Sequence, residues 1–328
     1  MMKNSKFNYE KYTIGEFRFD YGRILNNLEV QYATRGTPEY DDEGNIVNAF
    51  IFCHRFSEDY SSFDELKHLI GPDSIISDYN FFYISITSLG FPGSCSPSTT
   101  GMKQDFPQYS ILDCVNFIRK FLLEKFNLKR VLGILGVGFG GYEAFTWACE
   151  YPDEMEFVII GNSSFKTNGY RYIISKVMDS IITSSDGYFK GDEYGYDMSR
   201  IMIPINSLIY SQIISKTLFQ NMTLTENEAM MDEFVDEGLF KDAYDLKFRN
   251  NAILNYDIED KLGNIKAKTL IVSDSESAYY SLEFDTYPLK DRIENLEIFI
   301  FDGRDFIFDD DYSYFFDVFI EFLEEFRN

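Results

Sequence analysis

A glycine-rich turn between an apolar run and a helical pattern constrains this chain more than any other feature. Residues 131–135 are apolar, residues 136–141 read Gly-Val-Gly-Phe-Gly-Gly, and apolar residues recur at helical spacing from Tyr142 onward. A short apolar run predicts a buried strand, and so dense a cluster of glycines continues neither a strand nor a helix. The sequence therefore predicts a strand, a sharp turn and a helix, in that order.

This turn has the frame of a nucleophile elbow but not its nucleophile. In the G-x-S-x-G motif, a strand-to-helix turn exposes a reactive serine. Gly136 and Gly140 occupy the flanking glycine positions, whereas the central position is Gly138. Glycine has no side chain that can attack a carbonyl carbon. We therefore expect the elbow geometry without its usual chemistry.

Two phosphate-binding interpretations of the same glycines fit less well. Backbone amides at a helix start attract anions, but a P-loop requires a Lys-Ser or Lys-Thr pair after its last glycine. Here Tyr142 and Glu143 follow instead. A dinucleotide-binding turn belongs to the first strand–helix–strand unit of its domain. Two apparent strands precede the present motif, so we favour the elbow.

The charge of the chain disfavours two classes of partner. Its 328 residues include 54 acidic and 30 basic residues, for a formal net charge of −24 at pH 7. Such a surface repels nucleic-acid phosphates and anionic membranes. No run reaches the roughly 18 apolar residues of a membrane helix, and the N-terminal residues lack the apolar region of a signal peptide. We expect a cytoplasmic protein that binds neither nucleic acid nor membrane.

Cysteine and histidine usage limits metal and acid–base chemistry. The four cysteines are far apart and form no C-x-x-C pair, which argues against a disulfide framework or a zinc site. We expect reduced thiols, no metal and no cofactor. The chain has only two histidines, His54 and His68, so few general bases are available.

The pattern of apolar runs predicts an α/β fold with an insertion. Apolar runs at 49–53, 81–86, 157–161, 269–272 and 297–301 predict buried strands, and residues 17–34 predict antiparallel strands with a turn at Asn26-Asn27. Residues 111–126 predict an amphipathic helix and residues 63–69 a short one. Strands alternating with helices predict a doubly wound, mostly parallel sheet. Residues 1–162 and 263–328 would form this core, and 163–262 a helical lid.

The order of several short motifs resembles a known family. A strand ends in Cys53-His54, Ser-Cys-Ser-Pro follows at 94–97, Asp-Cys-Val at 113–115, the glycine elbow at 136–140 and Tyr-Pro-Asp at 151–153. In this order they resemble the homoserine O-acetyltransferase family, whose relatives include serine O-acetyltransferases and succinyltransferases. The resemblance covers nearly the whole chain and is densest from about 49 to 153.

This resemblance implies an α/β-hydrolase fold with a helical lid, a Ser-Asp-His triad and a homodimer. It also implies ping-pong transfer, in which the serine takes an acetyl group from acetyl-CoA and passes it to the homoserine hydroxyl. Such transfer needs a hydroxyl nucleophile, a histidine base and a carboxylate that orients the histidine.

The triad positions of the family carry other residues in this chain. The nucleophile position matches Gly138, the acid position Ser277 and the base position Arg304. Asp274 and Glu276 are close enough to Ser277 to act as a shifted acid. Arginine stays protonated and cannot act as a general base. The resemblance therefore implies a vestigial triad, and Glu143 stands where the family usually has glutamine.

Other parts of the family site do not depend on side chains. The resemblance places the oxyanion hole at Phe56 and Phe139, where backbone N–H groups are the donors. A pocket beneath the lid could therefore still bind a carbonyl group or an anion. Arg304 could bind a carboxylate ligand, although an ion pair with Asp302 or Asp305 is the simpler interpretation.

A relocated nucleophile is the main alternative. Cys53 and Cys95 lie near the predicted strand ends together with His54, and a thiolate–histidine pair would be reactive. A lone histidine is more often structural. Three hypotheses remain: an inactive family member that binds a small metabolite or partner, an active O-acyltransferase or hydrolase with relocated residues, and a structural subunit that dimerises through the lid.

Overall fold

The computed structural model describes residues 7–66, 69, 74, 76–189, 196–302 and 313–327. Eight strands form one sheet in the order β1-β2-β4-β3-β5-β6-β7-β8. The β1–β2 and β2–β4 pairs are antiparallel, and the remaining neighbours are parallel. The strands are β1 (Asn8–Arg18), β2 (Ile24–Arg35), β3 (Ala49–Cys53), β4 (Phe82–Ile86), β5 (Gly133–Val137), β6 (Phe157–Gly161), β7 (Lys268–Asp274) and β8 (Leu296–Phe301).

Helices cover the sheet and fill the insertion between β6 and β7. The described helices are α1 (Ile111–Phe126), α2 (Phe139–Glu150), α3 (Gly169–Thr183), α4 (Asp186–Phe189), α5 (Tyr196–Ile213), α6 (Lys216–Asn221), α7 (Leu224–Leu239), α8 (Ala243–Leu254) and α9 (Ser313–Leu323). Short 3₁₀ segments lie at Tyr60–Leu66, Lys103–Asp105, Glu259–Asn264, Tyr287–Asp291 and Glu324–Phe326, and a π turn at Leu282–Thr286. The prediction of a doubly wound, mostly parallel α/β sheet is confirmed.

The central strands are apolar because both faces of the sheet are covered. Every residue of β3, β4, β5 and β6 is buried, as expected of parallel strands with helices on both sides. Alternate residues of one strand enter different cores: Ile51 packs in one apolar cluster and Phe52 in another. The first cluster contains residues of α1 and α2, and the second contains Phe319 of α9.

The helix α1 has the bounds that its apolar stripe predicts, and its start is locally encoded. Ser110 accepts a hydrogen bond from the Asp113 N–H (3.1 Å), and the Asp113 carboxylate accepts one from the Ser110 N–H (2.8 Å). This reciprocal capping box satisfies backbone donors that the first helical turn leaves free.

One local prediction was wrong. The N-terminal strands turn at residues 19–23, where the Phe19 N–H donates to the Arg23 carbonyl (2.9 Å), and Asn26-Asn27 lies inside β2. Asn27 has φ 58°, a conformation that asparagine tolerates, so the pair marks an irregularity within a strand. The short helix predicted over 63–69 is confirmed in part: residues 60–66 form a 3₁₀ helix, and residues 67 and 68 lie outside the described residues.

The helical segment between β6 and β7 is attached to the rest of the chain by a buried ion pair. Arg171 of α3 and Asp285 of the π turn form two hydrogen bonds (2.6 and 2.7 Å), with side chains only 4% and 1% exposed. Ser164 also donates to the Asp285 carboxylate (2.8 Å). In the described part of residues 163–262, the only β-type pairing is the single bridge between Lys166 and Asp257. Among the described helices, none is long and apolar enough to cross a membrane.

Candidate functional site

The glycine turn adopts the backbone geometry of an elbow between β5 and α2. Gly138 immediately precedes α2 and has φ 57° and ψ −111°. A Cβ atom at Gly136 would lie 2.2 Å from the Gly140 carbonyl oxygen, and one at Gly140 would lie 2.0 Å from the Cys53 carbonyl oxygen. Backbone packing therefore requires both flanking glycines. At Gly138, the nearest atom to an added Cβ is the Tyr280 hydroxyl oxygen at 3.8 Å, so a side chain there has room.

An apolar chamber adjoins the elbow. Its volume is ≈ 50 Å³, and Phe56 and Phe139, the residues at the oxyanion-hole positions, are both part of its wall. Their ring centroids are 6.4 Å apart. In the described part of the chain, neither backbone N–H donates to another group. The other lining residues are Tyr142, Ile174, Met178, Ile209, Ile213, Ile253, Tyr279 and Tyr280.

Tyrosines, not a serine hydroxyl, provide the polar atoms of this chamber. The Tyr280 hydroxyl lies 3.4 Å from the Tyr142 hydroxyl, and the Tyr142 ring packs against Tyr256 with centroids 4.7 Å apart. Burial raises the pKa of Tyr280 well above its ordinary value. The hydroxyl therefore stays protonated at neutral pH and can act as a hydrogen-bond donor but not as a general base.

The residues at the acid position form a hydrogen-bonded turn. The Ser277 hydroxyl accepts a hydrogen bond from the Tyr280 N–H (3.0 Å). The Asp274 carboxylate accepts one from the Glu276 N–H (2.8 Å), and the Glu276 carboxylate accepts one from the Ser215 hydroxyl (3.1 Å). These contacts hold the segment after β7. The base position, Arg304, lies outside the described residues.

His54 makes hydrogen bonds with both ring nitrogens. It is completely buried. Its Nε2 accepts from the Ser88 N–H (3.0 Å), so in the neutral ring Nδ1 carries the proton and donates to the Arg55 carbonyl (2.9 Å). Burial lowers the pKa of this imidazole. These contacts are those of a neutral histidine that positions two loops.

The cysteines considered as replacement nucleophiles are buried thiols. Burial raises the pKa of Cys95 to about 12 and that of Cys53 well above its ordinary value. A thiol with a raised pKa carries little of the thiolate that acts as the nucleophile. Among the described residues, the hydrogen-bond partners of the two His54 ring nitrogens are the Arg55 carbonyl and the Ser88 N–H, and neither cysteine sulfur is one of them.

Glu143 attracted attention in the sequence only because the resembled family usually has glutamine at this position. The structure shows that its carboxyl group is buried next to the elbow. Glu143 of α2 is completely buried, and burial raises its pKa to about 8. The Ser88 hydroxyl donates to its Oε1, and the Cys53 thiol interacts with the same carboxyl group. Burial therefore favours the protonated form of Glu143 at neutral pH.

A second cavity, with both charged and apolar residues in its lining, adjoins the chamber. Its volume is ≈ 320 Å³, and it shares Phe56 and Ile209 with the chamber wall. Arg249 and Lys241 are the cations of its lining. Neither was singled out in the sequence, because nothing local distinguishes them from other lid cations. Among the described residues, no cluster of three or more histidine, cysteine or acidic side chains could hold a metal ion.

Comparison with known proteins relates the whole chain to acyltransferases. No protein-family model matches it. It is 40% identical over 304 residues to a probable acyltransferase of Methanothermobacter thermautotrophicus, and the matched region covers 93% of each chain. It is 24% identical over 296 residues to the homoserine O-succinyltransferase of Acinetobacter baylyi, covering 84% of this chain and 72% of the relative.

Solved structures share the architecture. An acetylester hydrolase from Corynebacterium glutamicum superposes with a TM-score of 0.83 at 19% identity, covering 98% of this chain and 96% of the other. The homoserine O-acetyltransferase of Bacillus anthracis gives a TM-score of 0.81 at 18% identity, covering 97% of each chain. At this identity the match shows the fold alone, which is that of the α/β hydrolases.

Proposed function

The chain belongs to the homoserine O-acyltransferase-like family of α/β-hydrolase-fold proteins, and we propose that it is a non-catalytic member that binds a small metabolite. The observation that carries this proposal is the elbow itself. Gly138 has the φ and ψ angles of the turn but no side chain. Acyl transfer through a covalent intermediate requires a nucleophilic atom at the reacting centre, and this backbone position offers none.

The surroundings of the elbow support the same proposal. The one described histidine, His54, uses both ring nitrogens in hydrogen bonds to backbone groups. The resemblance aligns Arg304 with the family base, and a guanidinium cannot take a proton from a hydroxyl. The chamber wall nevertheless retains Phe56 and Phe139, whose backbone donors would bind a carbonyl oxygen whatever residue stands at 138.

Two measurements on the purified protein test this proposal. The first is transfer from acetyl-CoA to homoserine, and the second is labelling by a fluorophosphonate, which reacts with activated serines. We expect no turnover above that of a mock purification and no stoichiometric label. Turnover that co-elutes with the pure protein, or a saturable label on one serine, would refute the proposal.

An active O-acyltransferase or hydrolase with relocated residues is the second candidate. The observation that favours it is the 40% identity to a relative named a probable acyltransferase. A direct transfer without an acyl-enzyme would escape fluorophosphonate labelling, whereas it would still consume acetyl-CoA or an ester. Release of free CoA in the presence of a panel of hydroxyl acceptors distinguishes the two candidates.

A structural subunit that pairs through the lid is the third candidate. The helix α3 exposes three apolar side chains at helical spacing: Tyr170 is 49% exposed, Ile173 56% and Val177 39%. Side chains at this spacing lie on one helix face. If this face pairs two copies, Ile173→Glu should convert a dimer into a monomer by light scattering. An unchanged mass would remove the lid from the interface.

A further inference from the structure

A groove with more cations than carboxylates lies at the end of β5 that is opposite the elbow. Its volume is ≈ 630 Å³. Lys129 and Val131 of its lining precede β5, whereas Gly138 follows that strand. The groove shares no lining residue with the chamber or with the cavity that adjoins the chamber. We call it the basic groove, and its charged lining residues are Glu16, Arg18, Arg119, Lys120, Lys129 and Glu154.

One of the two carboxylates in the basic groove is fully engaged. Glu154 accepts hydrogen bonds from Arg119 Nε (2.8 Å) and Nη2, and from the indole Nε1 of Trp147 (2.9 Å). Lys120 pairs with Glu124, one turn further along α1 (2.9 Å). These contacts neutralise two of the four cations.

The other two cations are not compensated in this way. Arg18 and Lys129 are exposed, and neither forms an ion pair or a side-chain hydrogen bond within the described part of the chain. The remaining carboxylate of the lining is that of Glu16, which is also exposed. The basic groove therefore keeps an excess of positive charge on a chain whose formal net charge is −24. Such a local reversal of sign attracts a small anion.

Apolar side chains form the rest of the wall. Leu123 of α1 is 45% exposed, and Phe17, Leu122, Leu128, Val131 and Trp147 also line the basic groove. Small-molecule sites commonly combine an apolar wall with a few polar or charged groups that orient the ligand. An anion with an apolar body matches both parts of this lining, whereas a simple inorganic anion matches only the cations.

We propose that the basic groove binds a small organic phosphate, with the phosphate group at Arg18 and Lys129 and the apolar body against Leu123. A phosphate monoester carries about 1.5 to 2 negative charges at pH 7 and has three acceptor oxygens, so it can bind two cations at once. Arginine and lysine are both common phosphate-binding side chains. The volume of the groove is within the range of small-molecule sites. This second site is independent of the proposed function.

The position of Trp147 makes the proposal directly measurable. It is the only tryptophan of the 328 residues and lines the basic groove, so its fluorescence reports on this site. The probe is phenyl phosphate, which has both a ring and a phosphate group, with calorimetry as the parallel measurement. Benzyl alcohol has the ring without the charge, and inorganic phosphate has the charge without the ring. We expect saturable binding of phenyl phosphate, roughly fivefold weaker binding of inorganic phosphate and no binding of benzyl alcohol.

A pair of double variants separates local contacts from the overall charge. Arg18→Gln with Lys129→Gln should weaken the binding of phenyl phosphate roughly tenfold, because each exposed ion pair contributes up to about fivefold in affinity. Lys216→Gln with Lys290→Gln is the matched control. It changes the net charge equally, both lysines are exposed, and neither lines the basic groove. We expect this control to bind phenyl phosphate as the unmodified protein does.

Four other results would overturn the proposal. They are the absence of saturable phenyl phosphate binding, equal affinity for phenyl phosphate and inorganic phosphate, binding of benzyl alcohol as tight as that of phenyl phosphate, and equal loss of affinity in the two double variants. Should the first double variant not fold, crystals of the unmodified protein with phenyl phosphate decide. A phosphate group beyond hydrogen-bond distance of both Arg18 and Lys129 then refutes the proposal. Acetyl transfer to homoserine would refute the proposed function without bearing on this groove.

Discussion

The Tyr280 hydroxyl oxygen lies 3.8 Å from the point at which a Cβ atom of residue 138 would stand. This spacing is an ordinary van der Waals contact, so the elbow has kept the room for a side chain. What Gly138 changes is the backbone energy. At φ 57° a residue with a side chain is strained, whereas glycine adopts this region readily. The turn is therefore relaxed at the position where a serine would be strained.

Replacing Gly138 by serine should destabilise the protein without creating activity. The positive φ should lower the free energy of unfolding by about 1–3 kcal/mol, measured by urea denaturation. Gly44→Ser is the control, because Gly44 has φ 81° with no atom within 4 Å of an added Cβ. We expect similar losses in both variants. Acetyl transfer by Gly138→Ser would contradict the view that the base position is also lost.

The carboxyl group of Glu143 should make stability fall as pH rises. Its pKa is about 8 in the folded protein against 4.5 for the free group. Between these values the folded state holds a proton that the unfolded state releases, so the contribution of Glu143 to stability is greatest below pH 4.5 and decreases up to about pH 8. Linkage puts the loss at up to about 5 kcal/mol.

Glu143→Gln should remove this pH dependence, because a neutral amide keeps the shape and the acceptor for Ser88. We expect equal stability of variant and unmodified protein near pH 4 and a more stable variant at pH 9, by urea denaturation. Titrations of other groups cancel in the difference between the two proteins. Parallel stability curves for the two proteins would show that the Glu143 carboxyl is not protonated in the folded state.

The cysteines should be unreactive in the folded protein. All four are buried, and burial raises the pKa of each thiol. Iodoacetamide at pH 7.5 should therefore leave the native protein unmodified and label all four thiols in urea, as read by intact mass. Rapid labelling of one thiol in the native state would instead support the hypothesis that a cysteine has replaced the missing serine as the nucleophile.

The Arg171–Asp285 pair should be essential for attachment of the lid. Asp285→Asn leaves a buried guanidinium without its counter-charge, which typically costs about 3–5 kcal/mol. We expect that loss in urea denaturation, together with faster hydrogen exchange in α3. Lys11→Met is the control, since Lys11 and Glu29 form an exposed pair and such pairs contribute little. Equal effects of the two variants would mean that the buried pair does not anchor the lid.

The architecture could be predicted from the sequence because the features that encode it are local. The apolar run at Ala49–Cys53 and the amphipathic pattern of Ile111–Phe126 have the predicted bounds in the structure. The glycine spacing around Gly138 likewise predicted the sharp turn between β5 and α2, which the structure contains. The turn at Asn26-Asn27 was wrong, because a positive φ at Asn27 occurs inside a strand as well as in a hairpin loop.

The contents of the candidate site could not be predicted in the same way. Tyr280 reaches Gly138 across 142 positions of sequence, and Arg249 meets Phe56 and Phe91 only after the lid packs on the core. No local pattern distinguishes these residues from ordinary core tyrosines or surface arginines. Tertiary packing creates both relationships, so only the folded chain reveals them.

Gly136 and Gly140 are fixed by their distance to backbone oxygens, because an added Cβ would lie 2.2 and 2.0 Å from the nearest carbonyls. Natural selection on folding alone is enough to preserve this pair. The two flanking glycines will therefore be retained by related proteins that keep this turn, whether or not those proteins are catalytic. A sequence search that identifies hydrolases by these two glycines therefore detects the backbone turn. Only the residue at the central position, here Gly138, indicates whether the nucleophile is present.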